Sequence, residues 1–167
     1  MREPWRLWQD VDSYEENNSG KVTMLFSHDG IHDSQTHLAS PSYFYEQLRR
    51  EISLATRASK PIALVKIVFD NRDLDQVRAY DILHFSYELT QLIRQEDCIG
   101  RLGINEVVII VRDGCTNAEP LVNRLLKATS LTVDDTLQIK IATVFSNKDE
   151  NSLRLLERLD HADLVNT

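Results

Sequence analysis

The stretch that most limits the fold is Ile62-Ala-Leu-Val-Lys-Ile-Val-Phe69, which follows directly on Pro61 and is nearly continuous in apolar and β-branched residues. A run of this kind, without polar alternation, reads as a central strand. Its neighbours have a helical period instead. Ser40-Pro41 supplies an N-cap followed by proline at the first helical position. Phe44, Leu48, Ile52 and Ala55 then mark one face of a helix ending near Ser59. Ile82, Phe85, Leu89 and Leu92 mark a second helix over about 75–95.

Further on, Cys98–Leu102 and Glu106–Val111 predict two strands, and Gly103-Ile104-Asn105 between them is short enough for a tight hairpin. Thr116-x-x-Glu119 matches a capping box opening the next helix, whose face is Ala118, Leu121, Val122, Leu125 and Leu126. Pro120 then falls in the first turn, where its missing donor does little harm. Leu137, Ile139, Ile141 and Thr143 alternate with Gln138, Lys140 and Ala142, as in a strand covered on one face. A last helix carries Leu155, Leu156, Leu159 and Ala162. The middle six elements spell β-α-β-β-α-β, the split ferredoxin-like arrangement. The fold class is therefore α+β, an antiparallel sheet with helices on one face, as in the palm of nucleotide cyclases and polymerases. Such a fold fixes no activity.

Residues 1–31 differ from the rest and read as an arm or linker ahead of one domain over 32–167. Trp5 and Trp8 sit among charges, Glu15-Glu-Asn-Asn-Ser-Gly20 is a linker signal, and Val22–Phe26 suits a short accessory strand. The tryptophans would anchor the arm on its own domain or on a partner. No apolar run approaches the roughly 18 residues of a spanning helix, so membrane insertion is not expected. The N-terminus has no apolar core of an export signal, and Cys98 and Cys115 form no Cys-x-x-Cys pair. Both features suit a reducing cytoplasm. A net charge of −7 argues against a sequence-independent nucleic-acid binder. A small anionic ligand remains open, since one or two placed arginines suffice for it.

Most enzyme signatures are missing. His28-Asp29, His32-Asp33 and His37 surround Gly30 and read as solvated loop residues; His84 and His161 have no partner in the sequence. Asp70, Asp73 and Asp75 follow a strand, where charges usually mark a wet loop. There is no P-loop, no Gly-x-Gly-x-x-Gly and no Gly-x-Ser-x-Gly. No cofactor or metal is expected.

What remains is Arg94-Gln-Glu-Asp97-Cys-Ile-Gly-Arg101-Leu-Gly103-Ile-Asn-Glu-Val107. Together with Asp33-Ser-Gln-Thr36-His-Leu38, Val68-Phe69-Asp70-Asn71 and the closing Leu155–Asp163 segment, it resembles the GGDEF family of bacterial diguanylate cyclases over roughly residues 33–165. The departures matter as much. The resemblance puts a magnesium-binding aspartate where Val68 stands, a glycine at Ile104 and an acid at Asn105; only Glu106 keeps its carboxylate. The guanine- and ribose-holding elements after Asp70 are missing, and that segment is shorter. By contrast Arg94 and Asp97 keep the register of the family's product-inhibition site, five residues upstream of the signature. The resemblance thus implies a non-enzymatic module that binds cyclic di-GMP at Arg94 and Asp97 and regulates a protein partner or homodimer. A guanidinium can grip a phosphate or the guanine Hoogsteen edge, and a carboxylate can accept from the guanine N1–H and amine. Two other readings stay open: Arg94 as a helix C-terminal cation with Asp97 opening a turn, and a protein-interaction module without nucleotide. Arg101 and Arg112 are the candidates for a second cation.

Overall fold

The computed structural model of the chain describes residues 27–71, 77–132 and 136–166. The arm's tryptophans, the strand expected at 22–26, Asp73 and Asp75 lie outside those residues. In order come α1 (Pro41–Ala58), β1 (Ala63–Asn71), α2 (Ala79–Leu92), β2 (Cys98–Gly103), β3 (Glu106–Val111) and α3 (Gly114–Lys127). A 3-10 turn (Thr129–Thr132), β4 (Leu137–Phe145), α4 (Ser152–Asp160) and a short β5 (Val165–Asn166) complete the chain. The strands form one sheet in the order β2-β3-β1-β4-β5, with each neighbouring pair antiparallel. The β-α-β-β-α-β core read from the sequence is present.

β1 lies at the centre, as its apolar run demands. Successive side chains of a strand point to opposite faces, and both faces of β1 are packed. Ala63, Val65, Ile67 and Phe69 meet Ile82, Phe85 and Leu89 of α2 and Leu121 and Leu125 of α3. On the other face Leu64 meets Phe44 and Leu48 of α1 and Leu155 and Leu159 of α4. Helices therefore cover both faces of the sheet and not the one expected. The β-α-β-β-α-β unit sends its own two helices to one side, and α1 and α4, which lie outside the unit, close over the other. The same correction applies to β4. Leu137, Ile139 and Ile141 enter the first core, while Ala142 and Val144 enter the second. Each large apolar side chain buried this way contributes about 1.5–3 kcal/mol relative to exposure.

Local signals set the helix ends. At α1 the Ser40 hydroxyl accepts the Tyr43 N–H, Pro41 opens the first turn, and Ser59 stops the helix in the left-handed region at φ 53°. The start of α3 differs from expectation: Thr116 and Glu119 do not open it. Asp113 is the N-cap, itself left-handed at φ 49°, and Gly114 begins the helix. Packing pins this start. Gly114 N–H donates to the Pro61 carbonyl at 2.7 Å, and a Cβ on Gly114 would lie 2.5 Å from the Ala63 nitrogen. Pro120 consequently sits in the second turn, where its missing N–H leaves the Thr116 carbonyl without its helical donor.

Candidate functional site

The hairpin joining β2 and β3 turns on Ile104 and Asn105, with a register shift between Arg101 and Gly103. Arg101 organises this turn from below. Its Nη2 donates to the Ile104 carbonyl at 2.9 Å and its Nε to the Gly103 carbonyl at 3.3 Å. Its Nη1 donates to Asp33 Oδ1 at 2.9 Å and Gln35 Oε1 at 2.8 Å. Asp33 is only 1% exposed and also accepts the Thr36 N–H and hydroxyl. Asp33 is therefore not the solvated loop residue expected from the sequence. Burial of a carboxylate is tolerable because a cation and two neutral donors meet it. The rest of that loop fits the expectation, since His28, Asp29, His32 and His37 are exposed. Among the described residues no cluster of three or more metal-ligating side chains occurs. Arg101, being buried and engaged, is not available as a second surface cation.

Above Arg101, the β1–β3 register pairs Val68 with Glu106, so both side chains share one face of the sheet. Lys66 lies on that face too, two residues earlier, and is buried. Its Nζ sits 3.0 Å from Asp160 Oδ1 at the end of α4 and 3.9 Å from Glu106 Oε2. Burial pushes the Glu106 carboxyl above its usual range; the Lys66 ammonium pulls it back and Asp160 pushes it further up. Asn105 Oδ1 is buried without a hydrogen-bond partner among the described residues, and Asp70 is exposed at the strand's end. The sequence reading passed over Lys66. Its signal was a single charge within an otherwise apolar central strand, which such a strand accepts only when the charge is paired.

The two residues singled out as a ligand pair occupy the turn between α2 and β2. Asp97 N–H donates to the Arg94 carbonyl at 3.1 Å, closing the turn. Arg94 is exposed, and among the described residues its guanidinium makes no ion pair. Asp97 is half-buried, and its carboxylate lies beside the backbone N–H of Arg112. Burial, and secondarily Glu96, raises the Asp97 carboxyl; the Arg112 N–H and the charges of Arg94 and Arg112 oppose this. Arg94 is thus at the surface, and Asp97 only partly so. Arg112, just beyond the end of β3, places a second guanidinium beside the turn and forks it onto Glu51 of α1.

Comparison with solved structures identifies this architecture. The chain superimposes on the diguanylate cyclase SiaD from Pseudomonas aeruginosa, solved with its activator SiaC, with a TM-score of 0.67 and 18% identity. That match covers 78% of this chain and 55% of the SiaD chain, so this chain spans about half the length of that protein. The GGDEF domain of DgcB from Caulobacter crescentus, solved with c-di-GMP, gives a TM-score of 0.66 at 16% identity, covering 84% of this chain and 89% of that one. The FimX GGDEF domain from Pseudomonas aeruginosa gives 0.62 at 19% identity, covering 78% and 89%. No family model matches the sequence, and no curated protein does. The fold is that of a GGDEF domain, and no helix among the described residues is long and apolar enough to cross a membrane.

Proposed function

We propose that this chain is a catalytically silent GGDEF-fold module that binds cyclic di-GMP at Arg94 and Asp97 and relays the bound state to a protein partner or a second copy. The observation that carries this reading is the Lys66 ammonium, 3.9 Å from Glu106, on the sheet face where the resemblance would put metal-binding carboxylates. Phosphoryl transfer with two metals needs acidic side chains to clamp both ions. Val68 offers no donor, Asn105 no charge, and Glu106 is already opposed by an internal cation. This donor set does not fit a pair of magnesium ions, which demand oxygen ligands in near-octahedral geometry.

The ligand half of the proposal draws on the exposed Arg94, which has no ion pair among the described residues, beside Asp97, and on the c-di-GMP complex of DgcB as a structural relative. The SiaD–SiaC complex is a precedent for protein control of a domain with this fold. Calorimetry with cyclic di-GMP tests the reading. Heat of binding that disappears in Arg94→Ala is the expected result. No heat at high-micromolar ligand, or unchanged affinity in the variant, would reject it.

One observation favours a second reading, an interaction module that has lost nucleotide contacts. Tyr80, Leu83 and Tyr87 form an exposed stripe on α2, and Tyr80 and Tyr87 are 68% and 64% exposed. Under that reading a Tyr87→Ser variant loses a protein complex while cyclic di-GMP gives no heat with either form.

A further inference from the structure

We propose that Arg112 is a third member of the cyclic di-GMP site, a phosphate-binding guanidinium that Glu51 holds in reserve. This inference rests on the reading of Arg94 and Asp97 as the ligand site.

Three observations place Arg112 there. Cys98 pairs with Ile110 across the β2–β3 ladder, which brings the turn before β2 beside the end of β3, and the Glu96 charge acts on Arg112 there. The Asp97 carboxylate lies beside the Arg112 backbone N–H, which puts the end of β3 next to the turn. The Arg112 side chain is 53% exposed, whereas the Glu51 side chain it grips is 9% exposed. The acid is thus anchored in the fold and the guanidinium lies at the surface.

The fork leaves capacity unused. Nε donates to Glu51 Oε2 at 2.8 Å and Nη2 to Oε1, while Nη1 has no partner among the described residues. A phosphodiester offers two non-bridging oxygens in much the same geometry as a carboxylate, and such planar forks bind either. Glu51 therefore competes with the ligand's phosphate for one guanidinium. The local charge balance agrees. Glu51, Glu96 and Asp97 set three carboxylates against the two guanidiniums of Arg94 and Arg112. An anionic ligand meets a net negative neighbourhood there unless one acid is neutralised. Glu51 sets the threshold for binding.

The test is calorimetry of cyclic di-GMP with the full chain and three variants, each checked by circular dichroism. Glu51→Gln keeps the size and a hydrogen-bond acceptor for Arg112 but removes the competing charge. It is expected to tighten binding about tenfold, the size of one charge-assisted hydrogen bond. The double variant Glu51→Gln with Arg112→Gln removes the guanidinium without stranding a buried carboxylate, and its affinity is expected to fall below that of the unmodified chain. Arg94→Ala is the control for the site itself. Heat with Glu51→Gln and none with the unmodified chain also supports the proposal, with Glu51 as a complete block. If binding depends on Arg94 but Glu51→Gln leaves it unchanged or weaker, this inference is overturned and the site reading stands. If neither the unmodified chain nor Glu51→Gln binds, both fall.

Discussion

Removing the Arg101 guanidinium should be among the most damaging single changes in this fold. In Arg101→Met the apolar stem is roughly preserved, but Asp33 loses its cation. That carboxylate is 1% exposed; among the described residues Oδ1 would keep only the Thr36 donors, and Oδ2 has no partner already. Stranding one member of a buried pair costs about 3–5 kcal/mol. The reverse change, Asp33→Asn, is milder, because Arg101 keeps the Gln35, Gly103 and Ile104 oxygens. Its cost is about 1–3 kcal/mol, that of a weakened charge-assisted bond. The double variant should cost less than the sum, with a coupling of about 1–3 kcal/mol. For a chain of this size each kcal/mol shifts the melting temperature by roughly 2–4 °C, so Arg101→Met should melt roughly 6–20 °C lower. Urea unfolding followed by circular dichroism, run on all four proteins, gives the cycle. A loss below about 1 kcal/mol in Arg101→Met, or coupling indistinguishable from zero, would mean that water screens the pair and that the reasoning from burial is wrong.

Thiol chemistry should separate the two cysteines: burial pushes the Cys98 thiol up to about 11, whereas Cys115 is exposed. Labelling with a thiol-exchange reagent at pH 8 should modify one equivalent quickly, and Cys115→Ser should abolish that phase; rapid labelling of Cys98 would contradict the packing. Glu106 supplies a pH test. Its folded carboxyl is raised above the ordinary 4.5, mainly by burial, so the folded state binds the proton more tightly than the unfolded state and stability falls as pH rises from that value. Glu106→Gln cannot ionise, so its stability relative to the unmodified chain should grow over the same window and then level off; a flat or opposite difference between the two urea titrations would refute the assignment.

The elements were readable where a residue's fate is decided by its neighbours in sequence. Ser40-Pro41 specifies the start of α1 with its own hydroxyl and ring, and the apolar run at 62–69 demands a central place in the sheet. Failures came where distant segments decide. Thr116-x-x-Glu119 was a sound local signal, yet the backbone contact between Gly114 and Ala63 moved the helix start upstream. Cover on both faces of the sheet required knowing that α1 and α4 return to the same side. Of the candidate site, the pairing of Arg94 with Asp97 in one turn was legible from spacing. The Glu51–Arg112 fork and the Arg101–Asp33 pair span 61 and 68 residues, and nothing local in either partner announces the other. Lys66 was the exception, a charge whose position alone demanded a partner.

The parallel bridge between Ala39 and Gly100 has a consequence for assembly. Ala39 N–H donates to the Ile99 carbonyl and the Ala39 carbonyl accepts the Arg101 N–H, so the outer rim of β2 is already occupied by the chain's own backbone. A foreign strand seeking to extend the sheet finds that rim sealed. At the opposite rim, among the described residues, β5 pairs with the Lys140–Ile141 stretch of β4. Growth of fibrils or capture of an extended peptide at the β2 rim would therefore first have to displace the Ala39 backbone.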